Sequence, residues 1–567
     1  MLLSRSQSIL EIDEILRTLL RYCDKTTLAC LSRTARFFSD PALDVLWENL
    51  ESFAHLLRIF PPELISWNHP QQQQVVPTGP PKPTVNHLIV PRDWKRFILY
   101  ARRVRTWGPE DLSYIEEPLV DHIAFGREPD YILPRLQHME VTAATVSGVH
   151  LQTLMLCPAL KSMLIWNSDL NVWAMCLMNT FFRTLADRAP KLNRLIVHWG
   201  DGSAVTAQFI EGLLDVFLAN ESGSSSELKS VNLWTPNCID AQGFSRLAQL
   251  PKLTTLHLNL IGNTHQLVSQ IQDTSTAFIA LENLFLAGEM EGFTKVLQCF
   301  GNAPSMMSLG FSVREYPKSR DLTQLFEAVT AKFPRALRLL QFNVPKQEIN
   351  IQLTNRLYHA DLEAYAHDMS LLRPLLSMRQ LTAMHLELGV LLYLTDVDLC
   401  TLGAAWPQIE VVNLCSDPYC ERAATIVGLI AITEACPSLQ HLGLFLDCAS
   451  GAISEGMIAG SSVASHTLIN LDVGRSCMLN PPLVAALLSG VFPNLKVFQW
   501  AGMDMPESSL EAGSLQEEYS PGWRQVFDLL PVFRAVRANE QRQRTPPYSS
   551  YASSSYLTDG KVLVAVD

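Results

Sequence analysis

Charge is scarce in this chain. Of its 567 residues only 18% are Asp, Glu, Lys or Arg, against roughly 25% in an ordinary soluble domain. Long apolar runs are missing as well. Ile426 to Ile432 and Leu483 to Leu488 fall well short of the ~20 residues that cross a bilayer. Cysteine is equally thin at 12 residues, which excludes a disulfide scaffold. No CxxC pair occurs, Cys415 and Cys420 being the closest two, so the paired spacing of a zinc site is absent. Cys157, Cys176, Cys299 and Cys436 stand in apolar surroundings and are expected as buried, reduced thiols. Arg5, Glu11 and Asp13 break the apolar residues that follow Met1, so no secretory signal is expected. Lys plus Arg number 44 against 56 Asp plus Glu, a net charge of −12; no nucleic-acid or membrane partner is expected of such a chain as a whole. The expectation is a soluble protein of the cytoplasm or nucleus.

Catalytic signatures are lacking too. There is no Walker A loop, G-x-G-x-x-G fingerprint, kinase set or H-E-x-x-H. Ser454 lies between Gly451 and Gly456, one residue too far along for a nucleophile elbow. His257 and His385 have no Cys or carboxylate partner at a recognisable spacing and are expected as surface histidines. No catalytic, metal or cofactor residue is assigned, and the chain is not expected to be an enzyme.

What the sequence does hold is repetition over a 48% hydrophobic background. An apolar residue is followed three and five places on by two more. Copies begin at Leu136, Leu160, Leu192, Leu228, Leu253, Leu281, Met306, Leu337, Leu381, Ile409, Leu439, Leu468 and Leu495, 24 to 44 residues apart, and all three places are filled in all thirteen. Places three and five share one side of a strand, and that side is expected to be buried. Between copies, Phe209, Leu213 and Phe217, and again Leu322, Leu325, Val329 and Phe333, fall at helical spacing. Strand, loop and helix in turn resemble the leucine-rich repeat, whose units bury their apolar faces only by stacking. The closing asparagine of a strict repeat is mostly missing. The fold expected is α/β: an irregular leucine-rich-repeat solenoid over 134–505.

The ends differ. In 1–60, Ile9, Ile12, Leu16, Leu19 and Leu20 mark a first helix, Asp24 suits the N-cap of a second, and Asp40-Pro41 reads as the start of a third carrying Leu43, Leu46, Trp47 and Leu50. Residues 61–91, with eight prolines and Gln71 to Gln74, read as a linker too polar to pack. Arg92 to Arg105 mixes cations with Trp94, Phe97, Leu99 and Tyr100 and opens a helical cap over 92–133. Beyond the repeats, 506–536 reads as a loop at Ser508 to Ser520 and a closing helix at Trp523 to Val536. Residues 537–567 read as a disordered tail.

Glu14-Ile15-Leu16, Leu19-Leu20, Thr27-Leu28, Leu31-Ser32-Arg33, Phe37 and Ala42-Leu43…Leu46-Trp47-Glu48-Asn49-Leu50 resemble an F-box. The run Asp40 to Trp47 followed by Phe53 to Pro61 is similar to the F-box-like proteins expanded in mushroom-forming fungi. The proline that commonly precedes the Glu in that family is replaced by Ile12-Asp13. The resemblance implies the substrate-recognition subunit of an SCF (Skp–cullin–F-box) ubiquitin ligase, with a Skp-family adaptor, and through it a cullin-RING ligase, as partner. Ile12, Leu16, Leu20, Leu28, Leu31, Leu43, Leu46 and Trp47 are the candidates for the adaptor face, some of them needed to hold the three helices together. The other reading is that these helices only cap the solenoid. A scaffold with no ubiquitin link, or a regulatory receptor with a small-molecule pocket among the repeats, also fits the repeat array.

Places four and six after each first residue point away from the core. Place six holds Trp166, His198 and Trp234 in successive repeats, with Phe285 and Phe445 at other outward places. These five are candidates for binding a protein target. The alternatives are that the Pro/Gln segment or the tail covers them, or that the strands simply pack.

Overall fold

The computed structural model describes residues 13–68, 81–127, 130–142, 145–167, 172–199, 227–236, 239–261, 278–300, 305–344, 367–388, 392–414, 423–449, 465–474, 476–500 and 515–544. Ile12, the Phe209 to Phe217 helix, Gln71 to Gln74, Gly451 to Gly456 and the last part of the tail lie outside them. The chain divides into two compact units, Met1–Leu392 and Tyr393–Asp567.

The first unit opens with three helices, α1 (Asp13–Leu20), α2 (Lys25–Thr34) and α3 (Arg36–Glu48), which run into β1 (Asn49–Leu50) and α4 (Phe53–Leu57). Next come β2 (Ile65–Asn68), β3 (Lys82–Val85), α5 (Pro91–Ala101), β4 (Thr106–Trp107) and α6 (Glu117–Gly126). The repeats supply β5 (His138–Thr142), β6 (Ser162–Asn167), β7 (Arg194–Trp199), β8 (Ser230–Leu233), β9 (Thr255–Asn259), β10 (Asn283–Gly288), β11 (Ser308–Val313) and β12 (Leu339–Asn343). After β13 (His367–Asp368) comes β14 (Ala383–Glu387). The sheet runs β1-β4-β5-β6-β7-β8-β9-β10-β11-β12-β14.

Every strand of this sheet is parallel to its neighbour, and the repeats align place for place. Met139, Met163, Leu195, Val231, Leu256, Leu284, Leu309, Leu340 and Met384 form one column across the strands. Val141, Ile165, Val197, Leu233, Leu258, Leu286, Phe311, Phe342 and Leu386 form the next. All of them are buried, as are the first residues of the same copies. A slip of one residue would turn a whole column to water, so burial fixes the register. Between the strands run α7 (Val146–Met155), α8 (Val172–Arg188), α9 (Ala241–Ala248), α10 (Met290–Cys299) and α11 (Ser319–Lys332); Leu322, Leu325 and Val329 of α11 are buried. The architecture is that of stacked α/β repeats.

Four expectations are corrected. The sheet begins before the repeats, because β1 and β4 pair with each other and β4 with β5; the helical start is joined to the array by main-chain hydrogen bonds. Glu110 fixes that joint. Its carboxylate accepts from Ser52 Oγ and Tyr114 OH at 2.5 Å each, from Phe53 N at 2.8 Å and from Trp107 Nε1 at 3.1 Å, so a residue of the loop after β4 supports the start of α4 beside its own N-cap, Ser52. The supposed linker packs at its two ends: β2 and β3 pair antiparallel, and Ile65 and Ile89 are buried. Polar composition set the wrong expectation because an average over the segment hides two isoleucines that the folded chain buries. Third, α3 starts at Arg36 and passes through Pro41. In the second turn a proline removes one hydrogen bond without ending the helix, and Asp40 is left to bind Arg103 instead of capping.

The second unit holds α12 (Asp396–Ala405), β15 (Val411–Asn413), α13 (Ile426–Ala435), β16 (His441–Gly443), β17 (Asn470–Asp472), α14 (Pro481–Val491), β18 (Val497–Gln499) and α15 (Leu515–Arg544). Its strands are parallel in the order β15-β16-β17-β18, with Val412, Leu442, Leu471 and Phe498 in one buried column. The fourth correction lies here. The closing helix starts inside the supposed loop and continues into the supposed tail. Trp523, Val526 and Leu530 are buried, Trp523 Nε1 donates to Ser476 O at 2.7 Å, and Arg537 Nη2 donates to Ala486 O at 2.8 Å. Among the described residues no helix is long and apolar enough to cross a membrane.

Candidate functional site

The N-terminal helices build a small core from Leu16, Leu20, Leu28 and Ala42, with Cys23, Leu31, Phe38, Val45 and Leu46 packed against it. Asp24 caps α2 as expected, accepting from Thr27 N at 2.7 Å. Of the candidate adaptor residues, Leu16, Leu20 and Leu28 are the ones buried in this core, where they hold the three helices together. Leu31 and Leu46 serve the same core while keeping part of their surface, and Leu43 is half-buried. Trp47 is half-buried against Tyr100, ring centroids 4.9 Å apart, so it also ties α3 to α5.

The apolar surface left open is a different stripe. On and just beyond α1, Ile15 is 38% exposed, Leu19 49% and Tyr22 87%, and Phe37 at the start of α3 is 42% exposed. Ile15 and Leu19, spaced i, i+4, share one face of α1, and Tyr22 stands two residues beyond its end. That spacing is visible in the sequence, but so is the Leu16–Leu20 face beside it. An amphipathic helix with two apolar stripes does not reveal which one its neighbours take.

Arginines pin this module to the strand layer. Arg103 is nearly buried; Nη2 pairs with Asp40 Oδ1 at 2.5 Å, Nη1 pairs with Asp44, and Nε donates to Leu99 O at 3.1 Å. Arg17 bridges Asp13 at 2.7 Å and Asp44 at 2.5 Å. The hydrogen bond from Arg103 holds the Asp40 carboxyl below its ordinary range. Of the basic, aromatic stretch from Arg92, Trp94, Phe97 and Arg103 are buried, while Arg92, Lys95, Arg96 and Arg102 stay exposed.

On the outward side of the sheet the aromatics fall into two groups instead of one row. Trp166, 49% exposed, stacks on His198 with centroids 4.2 Å apart and planes 8° from parallel. Trp234 turns the other way, to His257 at 5.5 Å and Phe285 at 5.6 Å. Phe285 lies over Gly310 of β11, where a Cβ would come within 2.4 Å of its ring; the repeat keeps a glycine there so the ring can lie flat. His257 is not a plain surface histidine. It is half-buried with Nδ1 unpartnered, and burial pushes its pKa down. Asn232, its neighbour across β8 and β9, is buried with Oδ1 unpartnered. His385 is half-buried. Phe445, half-buried, belongs to the second unit.

Cys157 and Cys436 are buried, the latter thiol pushed up to about 11 by burial; the side chains of Cys176 and Cys299 lie outside the described residues. Among the described residues no three His, Cys, Asp or Glu side chains lie where they would hold a metal ion.

No family profile and no curated protein matches the chain. Among solved structures, one chain of the Rad7 and Elc1 complex in yeast is similar at 15% identity, covering 71% of this chain and 88% of that one, with a TM-score of 0.37. A protein from Bacteroides fragilis is similar at 16% identity over 40% of this chain and 77% of that one, TM-score 0.19. Likenesses this distant carry no argument about function.

Proposed function

We propose that this chain is a substrate-recognition adaptor subunit of an SCF-type ubiquitin ligase: the N-terminal helices dock on a Skp-family adaptor, and the repeats hold a protein target. The observation that carries the reading is the open stripe of Ile15, Leu19 and Tyr22, with Phe37, on a module whose own core is already closed by Leu16, Leu20, Leu28 and Ala42. Apolar side chains that add nothing to the internal core are what a partner helix or groove would cover. The outward aromatics, Trp166 foremost, are of the residue types that anchor protein partners. The chain itself does no chemistry in this proposal. Holding a target lysine near a charged conjugating enzyme raises its effective concentration, and other subunits transfer the ubiquitin.

A second reading has its own support. β1 pairs directly with β4, and Arg103 clamps α3 to the strand layer, as in a helical cap on a scaffold with no ubiquitin link. Co-expression of the full chain with a Skp-family adaptor, then size-exclusion chromatography, separates the two. The ligase reading expects a stoichiometric complex that Ile15→Asp plus Leu19→Asp abolishes. Both positions are exposed, so the variant should keep its far-UV circular dichroism. Absence of any complex at micromolar concentration leaves the scaffold reading.

A further inference from the structure

The starts of five consecutive strands, β4 to β8, carry a cation or a histidine each: Arg105, His138, Lys161, Arg194 and Lys229. The placement is fixed by the backbone. Arg105, Gln137, Lys161, Asn193 and Lys229 form one hydrogen-bonded column, each amide donating to the carbonyl before it at 2.7–2.9 Å. Thr106, His138, Ser162, Arg194 and Ser230 form the next. Neither column holds a carboxylate between β4 and β8. Glu48 on one side and Glu282 on the other mark where the run ends, their carbonyls bonded to Arg105 N and to Ser308 N.

His138, Lys161, Arg194 and Lys229 are exposed. Arg105 and the exposed Arg135 line a polar cavity of about 360 Å³ beside α1 and α3. The cavity's other arginines, Arg17, Arg21 and Arg103, are matched to Asp13, Asp44, Glu48 and Asp40. Among the described residues, Arg105, Arg135 and Arg194 have no such match, Lys161 reaches only the neutral Gln137, at 3.3 Å, and Lys229 lies near Glu227, whose ion pair is with Lys252. In a chain of net charge −12, a rim this basic departs from the rest of the molecule. Strands ~4.8 Å apart set like-placed cations ~10 Å apart, and repulsion along such a row is relieved by an anionic partner.

We propose that this rim binds an acidic, extended segment of a partner protein, its carboxylate or phosphate oxygens facing Arg105, Lys161, Arg194 and Lys229. An extended chain crossing the strand starts would present an acidic side chain at about every second or third residue. The inference deepens the target-binding half of the reading above by naming the kind of target, and its test contains no ligase subunit, so adaptor docking succeeds or fails separately.

The test is fluorescence anisotropy of the full chain with three labelled twelve-residue peptides, carrying Glu, Gln or phosphoserine at every second position, and a labelled single-stranded oligonucleotide. The Glu peptide, the phosphoserine peptide or both should bind, and the Gln peptide should not; the tighter of the first two identifies the anion. Raising salt from 50 to 300 mM should weaken binding several-fold. Lys161→Glu, Arg194→Glu and Lys229→Glu together should weaken it tenfold or more, and the neutral Gln triple should fall between. Arg379→Glu, an exposed cation off the rim, and Leu19→Asp should stay within twofold. Equal binding of the Gln peptide, indifference to both triple variants, or tighter binding of the oligonucleotide lost in the same variants would each overturn the proposal.

Discussion

At the residue scale, His367 is the clearest liability of the fold. It is fully buried, both ring nitrogens lack a hydrogen-bond partner, and burial pushes its pKa from 6.5 to about 4. The folded chain therefore holds the ring neutral while the unfolded chain protonates it near its ordinary value. The contribution of this group to stability is full above pH 6.5, is lost as pH drops through the interval between the two pKa values, and levels off below about 4. Across that interval this one group should cost about 3 kcal/mol. His367→Leu, which cannot titrate, should lose about 2–3 kcal/mol less than the parent between pH 7 and 4.5 in urea unfolding; parallel losses in the two proteins would rule the explanation out. The candidate sites obey a similar logic of surroundings. The sequence displays Leu16 and Leu19 as equals, and Trp166 and Trp234 as members of one row. Only packing tells that Leu16 is core and Leu19 open, and that Trp234 turns to Phe285 over Gly310.

At the element scale, the parts built by repetition were legible and the parts built once were not. Each apolar triplet from Leu136 to Leu495 became a buried strand start, because parity and stacking leave only one side for those residues. The ends have no period. Pro41 sits within α3, Glu110 supports the start of α4 from 57 residues away in sequence, and α15 runs through two prolines; each depends on contacts made by chain far off. Helix packing within the second unit is tight enough to test. Gly403 of α12 faces Ala435 of α13, and a Cβ there would lie 2.7 Å from the Ala435 Cβ and 3.5 Å from the Ile432 Cα. Helix propensity alone favours Gly403→Ala by about 1 kcal/mol. Overpacking against a helix backbone costs about 1–3 kcal/mol and should win, lowering the thermal midpoint. A rise in that midpoint would mean that the two helices separate easily.

At the scale of the whole molecule, stacking makes stability a sum of neighbouring interfaces, so a long array need not unfold in one step. The division at Leu392 and Tyr393 gives this chain two compact units, each with its own buried columns. Leu284→Ala in β10 and Leu442→Ala in β16 remove buried side chains from the first and second units, each at a cost of about 2–5 kcal/mol. Differential scanning calorimetry should resolve two transitions in the parent. Leu284→Ala should lower one of them and Leu442→Ala the other, each leaving its counterpart in place. A single transition displaced equally by both substitutions would mean that the interface energy is shared along the entire chain. An assignment of the two transitions also bears on function, since the helical module, the outward aromatics from Trp166 to Phe285 and the basic rim all belong to the first unit. Ligands of the rim should therefore raise the transition that Leu284→Ala lowers and leave the other unmoved.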